Sequence, residues 1–325
     1  VATSTGCQGN PFTVTVTINP EPVVTSQALT VCSDVASGLN LNDDATGAPT
    51  VATYNIISFT NTNLTTSAGT PAIGTGLLAN EISNDAWTNV TPIAQTALYT
   101  IAPVATTTGC IGDNFTVTLT VNPEPLYTNT SLDATICSDG TTGVVLPSVD
   151  NDGGTIDSYD ITAVVSSNLS GTATTGTGLT DINSITSDTY NNVSAVAQTV
   201  VYTVVPYFGT CAGAPFNITV TVNPEPVVVA QTATVCSDAV TGVTLGNDAS
   251  PTVATYNIIS INSNGLVASA GTPVSGANGL NKLDSEIADD AWTNTTDGQV
   301  NVIYTVVPVA TSTGCQGNPF TVTVT

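Results

Sequence analysis

The sequence predicts an all-β chain of tandem two-sheet sandwiches. Three observations carry the prediction: markers that recur about every hundred residues, strands of period two inside each repeat, and no segment with helical periodicity and caps.

The repeat comes first because it frames every later inference. Asn-Pro-Glu-Pro begins at Asn19, Asn122 and Asn223, steps of 103 and 101 residues. Cys-Ser-Asp begins at Cys32, Cys137 and Cys236; Tyr-Thr begins at Tyr99, Tyr202 and Tyr304 and leads to Pro103, Pro206 and Pro308. Trp87, Tyr190 and Trp292 stand twelve positions before those tyrosines. A longer period is present too, since residues 1–17, VATSTGCQGNPFTVTVT, return unchanged at 309–325, an offset of 308. Two prolines fix φ and withhold ladder donors, so Asn-Pro-Glu-Pro reads as a stiff junction. The frame is then residues 1–20 as the last strand of a preceding module, followed by modules at 21–123, 124–224 and 225–325, the last strand of the third being cut short.

Within each repeat, Phe12, Val14, Val16 and Ile18 alternate with polar residues, as do Phe115, Val117, Leu119 and Val121, and Phe216, Ile218, Val220 and Val222. That is the pattern of a half-buried strand. Shorter strands are expected around residues 54–59 and 98–101 and their counterparts, between clusters of Gly, Asn, Asp, Ser and Thr. About a hundred residues with seven or so strands fits an immunoglobulin-like sandwich.

Composition excludes several functions. The chain has 24 acidic residues, no His, no Met and the single cation Lys282, a net charge of −23. Such a surface repels nucleic acid and anionic membrane. With 41% hydrophobic and 8% charged residues the chain still has the makeup of one that buries a core. No apolar run approaches a membrane span and residues 1–30 show no signal-peptide pattern, so a soluble piece of something longer is expected, without membrane insertion.

Seven cysteines are odd in number until the module frame is applied. Pairing inside modules joins Cys32 with Cys110, Cys137 with Cys211 and Cys236 with Cys315, leaving Cys7 to a partner outside the chain. A rival joins neighbours across the junction, as Cys7 with Cys32, and parity does not exclude it. Geometry favours the first scheme. First and last strands of such sandwiches run parallel, so their starting ends share a pole, whereas Cys7 is a full strand away from the junction. Disulfides imply an oxidising, extracellular setting.

Catalysis has little to work with when histidine is absent and lysine single, so no enzyme is expected and no catalytic residue is assigned. Lys282 reads as a solvated loop residue, since the other repeats carry no lysine for isopeptide stapling. No cofactor is expected. Asp43, Asp44, Asp150, Asp152 and Asp248 are candidate calcium ligands, although none completes an EF-hand spacing and turn chemistry explains them as well. Sequons occur at Asn63, Asn89, Asn114, Asn129, Asn168, Asn192, Asn217 and Asn294.

The order Cys-Ser-Asp, Tyr-Thr-Val-Val-Pro, Thr-Gly-Cys, Phe-Thr-Val-Thr-Val and Asn-Pro-Glu-Pro resembles the PKD-like modules of giant cell-surface proteins of Bacteroidota, over the whole chain and three times. Such arrays resemble SprB-type gliding-motility adhesins and other substrates of type IX secretion. The resemblance implies an extracellular, cell-surface stalk or filament that projects adhesive domains, with surfaces or polysaccharide bound by other parts of the parent chain. Two alternatives stay open: the repeats themselves bind glycan or surfaces, or they self-associate laterally into a filament through exposed edge strands.

Overall fold

A computed structural model describes residues 3–41, 49–246 and 251–325. The first repeat runs β1 Gln27–Cys32, β2 Val51–Asn61, β3 Leu64–Ala68, β4 Gly74–Leu77, β5 Ala86–Asn89, β6 Gln95–Ala105 and β7 Phe115–Asn122. The second runs β8 Ala134–Cys137, β9 Ser158–Val165, β10 Leu169–Ser170, β11 Gly176–Leu179, β12 Asn191–Asn192, β13 Gln198–Phe208, β14 Cys211–Ala212 and β15 Phe216–Asn223. The third runs β16 Gln231–Ala233, β17 Val253–Asn262, β18 Val267–Ala270, β19 Ala291–Thr293, β20 Val302–Ala310 and β21 Phe320–Val324. A single 3-10 turn, Gly276–Gly279, is the only helical element among the described residues.

Each repeat builds a main sheet and a two-stranded ribbon. The main sheets are ordered β1-β7-β6-β2-β4, β11-β9-β13-β15-β8 and β16-β21-β20-β17; the ribbons are β3-β5, β10-β12 and β18-β19. Alternation decides which side chains lie between them. Phe115, Val117, Leu119 and Val121 are buried while the intervening threonines are half-buried, and β15 and β21 repeat the pattern. The result is three separate cores, each holding one of the repeat tyrosines.

The first strand of every repeat pairs in parallel with the last. Gln27 faces Val117 and Cys32 faces Asn122; Cys137 faces Asn223 in the second repeat, and Gln231 faces Val322 in the third. The Cys-Ser-Asp cysteine thus stands at the finishing end of both strands.

By compactness the chain divides into two units. One is Val1–Pro125 with two pieces of the second repeat, Asp152–Thr155 and Tyr207–Gly213; the other is Leu126–Asn151, Ile156–Pro206 and Ala214–Thr325. The turn that carries Cys211 therefore belongs to the unit of the first repeat.

In residues 6–20, Phe12, Val14, Val16 and Ile18 are 86%, 74%, 76% and 88% exposed, and the segment forms no strand among the described residues. Its sequence twin at 309–325 folds into the end of β20 and β21, with Phe320 5% exposed. The twin pairs with β20 and β16 on either side.

Inside each core a carboxylate receives the tyrosine. The Tyr99, Tyr202 and Tyr304 hydroxyls donate to Asp85, Asp188 and Asp290 at 2.8, 2.6 and 2.8 Å. The ring twelve residues earlier joins in: Trp292 Nε1 donates to the Tyr304 hydroxyl at 3.0 Å, and Tyr190 and Tyr202 share a hydroxyl hydrogen bond. Asp188 also accepts from the Thr174 amide and hydroxyl, whereas Oδ1 of Asp85 and of Asp290 is buried without a hydrogen bond. Burial pushes the Asp85 carboxyl up and the Asp290 carboxyl up to about 6; the tyrosine bond opposes the shift, and Asp289 and Glu286 add to it at Asp290.

A carboxyl whose folded pKa is raised contributes stability below its unfolded value, and that contribution is lost as pH rises through the folded value. The third repeat should therefore lose stability from about pH 4 to about pH 6 through Asp290. Urea melts of wild type and Asp290→Asn across that window isolate the effect. The wild type should fall relative to the variant as pH rises, and parallel profiles would contradict the assignment.

Candidate functional site at the sandwich poles

The finishing pole of each sandwich is built by Cys-Ser-Asp. The serine hydroxyl accepts the amide of a ribbon asparagine: Asn89 to Ser33 at 3.0 Å, Asn192 to Ser138 at 2.9 Å, Asn294 to Ser237 at 2.9 Å. The aspartate turns the chain in the left-handed region, φ 61 at Asp34, 60 at Asp139 and 65 at Asp238, which its short polar side chain tolerates. Asp34 and Asp238 accept threonine hydroxyls from Thr88 and Thr293 at 2.5 and 2.6 Å, and these bonds hold both carboxyls below the usual range.

The asparagines close the pole. Asn89 Nδ2 donates to the carbonyls of Ile93 and Val121, and Asn192 Nδ2 to those of Val196 and Val222. Both residues belong to sequons, yet their amides are buried and bonded, so the folded chain offers neither to a glycan.

At the starting pole, Asn-Pro-Glu-Pro meets the turn between the last two strands. Cys110 and Cys315 occupy matching turns, their carbonyls accepting Ala105 N at 2.9 Å and Ala310 N at 2.8 Å. Two residues beyond each cysteine is a glycine whose Cβ would lie 1.9 Å from a proline carbonyl oxygen: Gly112 on Pro22, Gly213 on Pro125, Gly317 on Pro226. Any side chain there would push the junction off its own sandwich. Pro22, Pro125 and Pro226 are all buried by this packing. Glu124 and Glu225, between the junction prolines, are raised by burial and then by the charges of Asp34 and Asp139.

The disulfides join poles of successive repeats. Cys32 bonds Cys211 with Cα atoms 5.4 Å apart, and Cys137 bonds Cys315 at 5.5 Å, over separations of 179 and 178 residues. This corrects the pairings expected inside modules, Cys32 with Cys110, Cys137 with Cys211 and Cys236 with Cys315. First and last strands are indeed parallel, but Cys32 ends its strand while Cys110 precedes β7. The eight residues of β7 place roughly 25 Å between them, against the ~6 Å a disulfide spans. The rival pairing of Cys7 with Cys32 is not observed either. Cys7 and Cys236 are exposed thiols and Cys110 a half-buried one. On the chain-entropy model, closing a loop of 179 residues contributes about 5 kcal/mol.

The remaining candidates stay apart. Asp150 accepts the Leu126 amide at 3.3 Å, with Asp152 in the same turn segment; Asp43, Asp44 and Asp248 lie outside the described residues. Among the described residues no three metal-ligating side chains converge. Lys282 pairs with Glu286 at 2.9 Å, a partly exposed contact one helical turn apart in sequence. Sequence reasoning missed two sets of residues, the buried aspartates and the glycines of the junction. Both carried a signal: each aspartate lies two positions before the marked aromatic, and each glycine two positions after the turn cysteine.

A model of the PKD-like domain matches residues 29–125, 134–226 and 233–325. No curated protein matches the sequence. Among solved structures, the human desmocollin-1 ectodomain is similar at 12% identity over 94% of this chain and 61% of that one, with a TM-score of 0.32. Mouse cadherin-23 EC22-24 is similar at 10% identity over 94% and 98%, TM-score 0.30, and chicken CNTN1 FN1-FN3 at 10% over 84% and 88%, TM-score 0.29. The chain spans about three fifths of the desmocollin-1 ectodomain.

Unreduced peptide mapping should recover Cys32 linked to Cys211 and Cys137 linked to Cys315; a Cys32–Cys110 peptide would overturn the stagger. Replacing Gly213 by Val should destabilise the chain by about 1–3 kcal/mol through overpacking, read as a lowered urea midpoint. An unchanged midpoint would show that the contact with Pro125 is slack.

Proposed function

Since the chain belongs to the PKD-like domain family, we propose that its three sandwiches serve as a load-bearing stalk segment outside the cell rather than as a catalyst. The observation that carries this reading is the staggered bonding of the Cys-Ser-Asp poles at Cys32 and Cys137 to the turn of the following sandwich. A catalytic or small-ligand domain has no need of such bonds; a tether under tension does.

Between Cys32 and Cys315 the two bonded loops overlap, so the shortest covalent path crosses both bonds and runs back along residues 137–211 between them. That path removes roughly 210 residues from the stretchable length, about 700 Å at ~3.3–3.6 Å per residue. Tension thus reaches the bonds before the polypeptide can pay out. Bonds of this kind persist in an oxidising compartment, which supports an extracellular location. The acidic surface keeps neighbouring chains soluble and apart from polyanions.

The finer reading rests on the resemblance to Bacteroidota surface arrays: a cell-surface adhesin exported by type IX secretion, its distal domains binding polysaccharide or other surfaces, with gliding motility as one use. No nucleic acid, membrane insertion, cofactor or resident metal enters this proposal.

Single-molecule stretching from the two termini tests the mechanical part. The oxidised chain should reach full extension about 700 Å shorter than the same chain in reductant. Equal contour lengths in the two conditions would remove the load-bearing role.

A further inference from the structure

We propose that the finishing pole of the third sandwich is a docking and disulfide-bonding surface for the Thr-Gly-Cys turn of another PKD-like sandwich, with Cys236 as the bonding residue and a Cys110-type turn as its occupant. Cys236 is not an isolated thiol. Its positional twins Cys32 and Cys137 are both bonded, each to the turn cysteine of a following repeat. The surrounding pole is assembled in the same way, with Ser237 accepting Asn294 N and Asp238 in the left-handed turn.

What differs is cover. Ser33 and Ser138 are 4% and 5% exposed, while Ser237 is exposed; Trp87 and Leu64 are buried, while Trp292 and Leu266 are partly open. A cavity of about 250 Å³ lies against Val235, Cys236, Leu266 and Trp292. In the first two repeats the cysteine at that place is bonded to the following turn, Cys32 to Cys211 and Cys137 to Cys315.

The complementary half is also on the chain. Cys110 sits in a turn with the hydrogen bonds of the Cys315 turn, Gly109 N to Ala105 O and Gly314 N to Ala310 O both at 3.1 Å, and its amide is held by Thr108 as that of Cys315 is by Thr313. Cys211 and Cys315 are 1% exposed in their bonds, whereas Cys110 is half-buried with no bond. The chain therefore carries one open pole and one open turn of opposite kind. The bond forms by thiol–disulfide exchange with a small disulfide such as oxidised glutathione: two cysteine thiols give up two protons and two electrons, the new S–S bond forms, and two glutathione thiols leave.

The identity of residues 1–17 and 309–325 supplies the test. A tandem chain in which residues 18–325 follow Thr325 continues the long period without a scar. Refolded in a glutathione redox buffer, it should link Cys236 of the first copy to Cys110 of the second. Three thiols then remain per chain, where the four disulfides already assigned would leave five. Cys236→Ser in the first copy should raise the count to four by freeing that Cys110, with the other four bonds as the internal control for folding. Recovery of the first-copy Cys236 as a thiol, or bonded to Cys315 of its own sandwich or to another Cys236, while those four bonds form, would overturn the proposal.

Discussion

Parallel pairing of the first strand with the last sets the reach of the Cys-Ser-Asp cysteines. A parallel pair carries both strands from the same pole to the same pole. Cys32 and Cys137 therefore finish beside Asn122 and Asn223, where the chain leaves for the next sandwich. The turn cysteines they bond, Cys211 and Cys315, belong to the following repeats. The same pairing leaves Cys110 at the opposite end of its own sandwich, a strand's length from Cys32.

The other devices serve this arrangement. Gly112, Gly213 and Gly317 let the junction carbonyl approach where a methyl group would collide, so the turn cysteine is held close to the entering chain. The serine and asparagine of the finishing pole satisfy backbone groups that two strands ending together would otherwise leave unpaired. The Asp–Tyr pairs tie the ribbon side of each core to the main sheet, and at Asp85 and Asp290 burial raises the carboxyl.

Much of the fold is legible in the sequence alone. Alternation at Phe115–Val121 and Phe216–Val222 located β7 and β15, because a period of two leaves one face to bury. The tyrosine and the aromatic twelve residues before it were visible as markers, and they meet in the core. The buried aspartates were hidden among many turn-forming acids, since nothing in composition tells a carboxyl that will be desolvated from one that will stay in water. The disulfide pattern was misread for a related reason. Sequence spacing shows how far apart two cysteines are along the chain but not at which end of a strand each will stand.

The cysteines draw the line between the two kinds of information. Sequence was enough to establish three all-β repeats, their period, the alternating strands and the acidic, cation-poor surface, because each follows from local chemistry that every copy carries. Cys32 and Cys137 nevertheless bond the turn cysteines of the following repeats, Cys211 and Cys315. Strand pairing and disulfide choice depend on which backbone edge and which thiol another part of the chain brings near. That proximity is a property of the folded neighbours, which local chemistry does not carry.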